Sequence, residues 1–157
     1  MTIRLKGGYD IFMVTIRPVT EVTKSLTDAY RVLIPQLSSS SNPPTEEALQ
    51  RIIESDSAQI LIAEDEKNGG ILGTMTLIIF QIPTGIRAWI EDVVVDSSAR
   101  GRGIGKKLNL AALELAKQAG AKTVDLTSRP ARKEANQLYK DIGFIQRETN
   151  VYRFSFE

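Results

Sequence analysis

The sequence predicts one α/β (α+β mixed) domain in which a mixed, mostly antiparallel, twisted sheet carries helices on both faces. Two observations lead to this fold class. Strand-like and helix-like segments follow in the order β-α-α-β-β-β-α-β-α-β, so three strands run consecutively before a β-α-β step. A chain of 157 residues, 42% hydrophobic and 25% charged, suits a single core. We assign this domain to residues 13–157 and interpret residues 1–12 as a possible N-terminal extension.

The N-terminal third is expected to hold one strand and two helices. Residues 14–17 form a short strand candidate. Residues 20–34 have helical spacing, and we expect Pro35 to end that helix because proline lacks a backbone N–H. The serine-rich stretch 38–44 is expected to be a surface loop. Thr45 is a suitable N-cap for the second helix.

Further strands follow this helical region. Gly73 lies inside a long strand candidate, where it indicates a bulge or a close approach by another group. Outside the central stretch described next, the predicted elements are strands 57–65, 71–81 and 122–127, a helix over 133–141, and a last extended segment over 144–156.

The central stretch, residues 89–108, reads WIEDVVVDSSARGRGIGKKL. Its valine-rich start predicts a buried strand, and an amphipathic helix is expected from Ile104. Between them lie three glycines in five positions. Backbone N–H groups at a helix start lack partners, and glycines let an anion approach them closely. Basic side chains surround this loop, so the stretch predicts an anion site.

Two familiar phosphate-binding patterns do not fit this loop. The P-loop would need a glycine and a serine or threonine where the chain has Arg100 and Lys107. The dinucleotide-binding pattern would need its third glycine where the chain has Lys106 or Leu108. Both patterns are therefore excluded.

The pattern that fits is R-x-x-G-x-G, formed by Arg100, Gly103 and Gly105. It resembles the pyrophosphate-binding motif of the GNAT superfamily of acetyl-coenzyme A-dependent N-acetyltransferases. The preceding I-E-D-V-V-V-D is locally similar to glucosamine-6-phosphate N-acetyltransferases. The resemblance implies acetyl-CoA as the cofactor and a GNAT-type sheet.

The resemblance also implies which residues hold coenzyme A. The central strand would receive the pantetheine arm through its backbone, and the N–H of Val93 would polarise the thioester carbonyl. The residues implied for the pantetheine arm are Val93, Val94 and Val95, and those for the pyrophosphate are Arg100, Gly101, Arg102, Gly103, Ile104, Gly105 and Lys106.

Residues 135–144 resemble the A-x-x-L-Y-x-x-x-G-F segment that closes GNAT domains. The resemblance implies that Tyr139 contacts the cofactor and protonates the departing thiolate. The alternative is an aromatic side chain that only packs. GNAT proteins often carry an asparagine seven residues before this tyrosine, where this chain has Arg132. Either Asn136 takes its place or Arg132 contacts a phosphate of coenzyme A.

The general base is expected to be a carboxylate or a water chain, since the sequence has no histidine and no cysteine. The same absence argues against a metal site. Glu91 is the first candidate base and Asp92 the second. On a regular strand they point to opposite faces, but a bulge would change that. The alternative is that both are surface charges or ion-pair partners of Arg87.

The functional hypothesis is an N-acetyltransferase acting on a primary amine of a small molecule or peptide. The alternative is a non-catalytic acyl-CoA sensor with the same fold. A net charge of +1 argues against a nucleic-acid partner, and no apolar run reaches the ~20 residues of a membrane span. We expect a cytoplasmic protein, with a homodimer as a further expectation because the family often dimerises and the aliphatic final strand offers an interface.

Overall fold

The computed structural model describes residues 13–156. These residues form two compact units, of which the first runs to Thr127 and the second begins at Ser128. Each unit is taken by itself. The elements in chain order are β1 (Val14–Pro18), α1 (Lys24–Leu37), α2 (Glu46–Ile53), β2 (Ala58–Asp65), β3 (Ile71–Ile82), β4 (Gly85–Val95), a 3-10 turn (Ser97–Ala99), α3 (Ile104–Gln118), β5 (Val124–Leu126) and α4 (Lys133–Asp141).

The first unit contains a sheet with the strand order β1-β2-β3-β4-β5. The first four strands pair antiparallel, and β5 joins β4 in parallel. Ile60 and Ile62 of β2 belong to a core cluster with buried side chains of α1 and α2, namely Leu26, Tyr30, Ile34 and Leu49. The opposite face meets α3, since a Cβ on Gly73 would lie 3.4 Å from the side chains of Ile104 and Leu108. The predicted mixed sheet with helices on both faces is therefore confirmed.

A β-bulge interrupts β4 in its second half. Glu91 pairs with Thr76 and Val94 pairs with Thr74, so two residues of β4 lie opposite Met75 of β3. One of them, Asp92, has a left-handed backbone with φ of 52°. Such a bulge disrupts the local ladder and bends the strand.

The pairing of β4 with β5 is short. It extends only from Ala88 opposite Val124 to Ile90 opposite Leu126, where β5 ends. The bulge begins immediately after Ile90, so the C-terminal half of β4 continues beyond its parallel neighbour. That half leads directly into the glycine-rich loop.

The expected end of the first helix is wrong. Pro35 does not end α1, because it lies inside the last turn and the helix continues to Leu37. Proline this close to a helix end removes only one backbone bond, while Ser38 N–H still donates to the Ile34 carbonyl at 2.9 Å.

The extended segment expected at the C-terminus is not a strand, since residues 144–156 are neither strand nor helix. A strand requires bonds to a neighbour, which alternating apolar residues alone do not supply. The prediction of a single domain over residues 13–157 stays a prediction, and the extension expected at 1–12 lies outside the described residues.

Candidate active site

The N-terminus of α3 is left without a cap by its own sequence. Gly103 is the N-cap residue and makes no side-chain capping bond, and the first turn holds no acidic residue. The first backbone bond of the helix runs from Lys107 N–H to the Gly103 carbonyl at 3.1 Å. The N–H groups of residues 104–106 therefore point out of the helix end without helical acceptors, which gives this end a partial positive charge.

Space is open above the two glycines that precede α3. Gly101 and Gly103 have left-handed backbones, with φ of 75° and 74°. A Cβ added to either residue would have no heavy atom within 4 Å. A side chain at these positions would therefore project into the space next to the loop and strain the backbone. This cradle, which a Cβ would enter, fits the close approach of a pyrophosphate.

The remaining residues of the loop either carry an exposed positive charge or pack their side chain into the core. Arg100, Arg102 and Lys106 are exposed. Arg100 Nε also donates to the Val95 carbonyl at 3.4 Å, which places this side chain beside the end of β4. Ile104 is buried with 1% of its surface exposed, so only its backbone is available to a ligand.

The second half of β4 provides backbone rather than side chains. Val94 is buried, whereas Val93 and Val95 are partly buried. Val93 belongs to the bulge, where ladder bonds are disrupted. Gly73 explains how β3 stays close to this segment, because a Cβ there would lie 2.9 Å from the Val94 carbonyl oxygen.

Both candidate carboxylates, Glu91 and Asp92, are exposed. The left-handed conformation of Asp92 breaks the alternation of a regular strand, which is the bulge alternative considered above. Trp89 Nε1 donates a hydrogen bond of 2.7 Å to Glu91 Oε1. The residues are two apart in β4, so both side chains lie on one face. This role of Trp89 was not predicted from the sequence, although the i, i+2 spacing of the two residues in a predicted strand is a signal that could have found it.

Tyr30 is a second residue that sequence reasoning did not place near the site. It is buried in α1, and burial raises its pKa to about 12. A hydrogen bond with Thr74 acts to lower that pKa, and the charge of Asp92 raises it further. Tyr30 therefore remains a neutral hydroxyl group close to the bulge.

In the second unit, Tyr139 is buried on α4, and its ring meets that of Phe144 edge-on at 5.9 Å. Burial raises the pKa of Tyr139, while the charge of Arg132 acts to lower it. Asn136 Nδ2 donates to the Arg129 carbonyl at 2.9 Å and so fastens the loop before α4. Arg132 is the exposed N-cap residue of that helix.

The predicted site residues therefore divide between the units. Glu91, the three valines and the glycine-rich loop form one continuous strand–loop–helix run in the first unit. Arg132, Asn136 and Tyr139 lie in the second unit. Among residues 13–156, no group of three or more histidine, cysteine, aspartate or glutamate side chains could hold a metal ion. Within the same range, no helix is both long and apolar enough to cross a membrane.

Known proteins resemble this chain in sequence and in structure. A probable glucosamine 6-phosphate N-acetyltransferase 2 from rice (Oryza sativa subsp. japonica) is 37% identical over 97 residues, which cover 59% of this chain and 57% of that protein. Glucosamine 6-phosphate N-acetyltransferase 1 from rice is 32% identical over 127 residues, which cover 76% of this chain and 74% of that protein. The chain thus spans just over half the length of the first relative.

A solved structure has the same fold. The crystal structure of glucosamine-6-phosphate N-acetyltransferase from Arabidopsis thaliana superposes with a TM-score of 0.73 at 25% identity, covering 90% of this chain and 98% of that one. The sequence model of the acetyltransferase (GNAT) family matches residues 21–144, which is most of the chain and includes both motifs. The chain therefore belongs to the GNAT family of acetyltransferases, as its two motifs predict.

Proposed function

We propose that this N-acetyltransferase transfers the acetyl group of acetyl-CoA to a primary amine by direct attack in a ternary complex. The observation that carries the proposal is the uncapped start of α3, with open space at Gly101 and Gly103 and basic side chains around it. When bound, acetyl-CoA supplies the activated thioester. Its pyrophosphate would be held by residues 100–106, and its pantetheine arm by the backbone of Val93, Val94 and Val95.

Glu91 is proposed as the general base. It accepts the proton that the attacking amine must lose, while Trp89 fixes one of its oxygens through the 2.7 Å bond. The N–H of Val93, in the bulge, donates to the carbonyl oxygen of the thioester as negative charge develops there. Water or Asp92 is the alternative base, since Asp92 is equally exposed.

Tyr139 is proposed as the general acid. As the new C–N bond forms and the C–S bond breaks, the Tyr139 hydroxyl donates its proton to the leaving thiolate. Burial raises the pKa of Tyr139, which disfavours this donation, whereas the charge of Arg132 acts to lower that pKa and so favours it. Asn136 supports this role by holding the loop before α4, and Arg132 is available for a phosphate of coenzyme A.

The acceptor is proposed to be an amine of a small molecule or peptide. Two relatives named for glucosamine 6-phosphate make that amino sugar phosphate the first acceptor to test. Amino acids, polyamines and peptide lysines complete the panel. A cytoplasmic location stays a prediction.

The experiment that tests the function measures release of free thiol from acetyl-CoA across this amine panel. Glu91→Gln and Tyr139→Phe are each expected to lower kcat by ~100- to 10,000-fold, the usual contribution of a positioned acid or base. Glu54→Gln is a matched control at an exposed position and should leave kcat unchanged.

Two outcomes would contradict the proposal. Failure of millimolar acetyl-CoA to raise the melting temperature would exclude the cofactor, because a ligand at 100 times its Kd stabilises by ~2.7 kcal/mol. Stabilisation without thiol release, unaffected by either substitution, would instead indicate an acyl-CoA sensor.

We also propose that the chain forms a homodimer through residues 151–156. In this extended segment Tyr152, Phe154 and Phe156 alternate with polar residues and are more than 80% exposed. Exposed aromatic side chains that alternate with polar ones favour strand pairing with a second copy. Light scattering should give a dimer mass for the full chain, and the double substitution Phe154→Ser and Phe156→Ser should give a monomer. A monomeric full chain would contradict this proposal.

A further inference from the structure

One side chain near the end of α1 bonds to the loop that follows β4. The amide of Gln36 donates from Nε2 to Asp96 Oδ2 at 3.1 Å and accepts at Oε1 from Ser97 N–H at 2.8 Å. These partners lie 60 and 61 residues further along the chain. Because the amide uses both its donor and its acceptor, the contact fixes the orientation of the loop as well as its distance.

The second oxygen of Asp96 organises the same turn from the other side. Asp96 Oδ1 accepts from Ser98 N–H at 2.8 Å, and Ala99 N–H donates to the Asp96 carbonyl at 2.9 Å. Ala99 is buried, with 1% of its surface exposed. The 3-10 turn that precedes Arg100 is thus stabilised by hydrogen bonds to Asp96 within the turn and by hydrogen bonds with Gln36 of α1.

We propose that Gln36 is a positioning residue for the coenzyme A loop, an inference that rests on the proposed function. Gln36 lies outside both family motifs. Along the chain, α2 and the strands β2, β3 and β4 lie between it and the glycine-rich loop. By fixing Asp96 and Ser97, Gln36 sets the direction in which the following residues leave β4. Preorganisation of this kind reduces the free energy lost on ordering the loop when a ligand binds.

The first variant is Gln36→Met, which keeps the length of the side chain and removes both bonds. The KM for acetyl-CoA should rise about tenfold, while kcat at saturating acetyl-CoA stays within about twofold. The matched control is Gln118→Met, another glutamine in the last turn of a helix, whose amide donates to Glu114 at the surface. That control should change neither constant.

A swapped pair provides the sharper test. Gln36→Glu places a carboxylate against Asp96, and Asp96→Asn places an amide donor against the Gln36 amide, so each should raise the KM more than tenfold. Together they restore the bonds with reversed polarity. The new amide at position 96 donates to the new carboxylate at position 36, and that carboxylate still accepts from Ser97 N–H. The double variant should return the KM to within about threefold of the native value.

The outcomes separate this inference from the function on which it rests. Native acetyl-CoA binding with an unchanged KM in Gln36→Met, or no rescue in the double variant, would overturn the role of Gln36 alone. Hydrogen exchange without ligand tests the contact independently of turnover. The amides of residues 97–101 should exchange faster in Gln36→Met than in Gln118→Met, and equal exchange would also overturn the inference.

Discussion

The starts of α2 and α3 differ in how the partial positive charge of the helix end is treated. At α2, the Thr45 side chain accepts a bond of 3.2 Å from Ala48 N–H, and Glu46 and Glu47 lie in the first turn. At α3, the N-cap residue is Gly103, no side chain caps the helix, and basic residues replace acidic ones. The chain neutralises the positive end of α2 with its own side chains and leaves that of α3, where we propose the pyrophosphate binds, without a capping or acidic side chain.

The difference indicates how the proposed anion site arises from the absence of capping and acidic side chains at α3. Both helices belong to the first unit and both present unpaired N–H groups at their starts. At α2, hydrogen bonds from its own backbone N–H and from the Thr45 hydroxyl lower the pKa of Glu47, so its carboxylate remains charged beside the helix end. At α3, the same place is open space next to two left-handed glycines. A substitution that gives α3 an acidic first turn like that of α2 should therefore raise the stability of the unliganded protein and lower its affinity for acetyl-CoA.

The largest effect is expected from Gly103→Ala, which puts a methyl group into the space at α3. Alanine in a left-handed conformation costs ~1–2 kcal/mol, and the Cβ also obstructs the approach of a phosphate, so affinity for acetyl-CoA should fall on the order of 100-fold. Isothermal calorimetry measures the Kd.

The control for this glycine is Gly69→Ala in the turn between β2 and β3. Gly69 has a similar φ of 69°, so it should lose a similar amount of stability. Its affinity for acetyl-CoA should stay native. An equal loss of affinity in both variants would mean that backbone strain, rather than the phosphate cradle, is responsible.

An intermediate effect is expected from Lys106→Glu, which gives α3 an acid in its first turn as in α2. The unliganded protein should become more stable by ~0.3–1 kcal/mol because the charge complements the helix dipole. Acetyl-CoA should bind about tenfold more weakly, since the new carboxylate competes with the pyrophosphate. Thermal unfolding and calorimetry measure the two quantities.

Lys106→Gln separates loss of the lysine charge from gain of an acid. It should weaken binding less than Lys106→Glu and leave stability nearly native. If Lys106→Glu destabilised the unliganded protein, the assignment of an uncapped α3 would be wrong.

The smallest effect on binding is expected from Thr45→Ala, which uncaps α2. Loss of an N-cap bond should lower the free energy of unfolding by ~1 kcal/mol, with no change in the Kd for acetyl-CoA. Urea denaturation measures the loss, and Thr45→Ser should recover most of it. A weaker affinity for acetyl-CoA in Thr45→Ala would show that the two helix starts are not independent.

Several features of the site were predictable because they are local. Thr45 as a cap, Gly101 and Gly103 as residues in unusual conformations, and the start of α3 after the glycine loop depend on neighbouring residues only. Helix propensity and capping act within one turn, so the sequence displays them directly. The failure at Pro35 has a local cause as well, since its position one turn from the helix end made it tolerable.

Other features were not predictable because they depend on register or on distant contacts. The strand expected over residues 144–156 alternates apolar and polar side chains only from Tyr152 to Phe156, and alternation does not provide a neighbour with which to pair. The bond of Gln36 to Asp96 joins residues 60 positions apart, and nothing near Pro35 or Gln36 signals it.

By itself, the sequence determined the family and the fold class and predicted the start of α3 as the proposed anion site, because motif spacing and helix-end chemistry are properties of contiguous residues. Tertiary structure decided how that site is oriented. The bulge at Asp92 and Val93 arises from the pairing of β3 with β4. Gln36 of α1 bonds to the start of the loop, which is the contact that we propose positions it. Both result from elements that meet only when the sheet and its helices assemble, so the physical cause lies in packing and register.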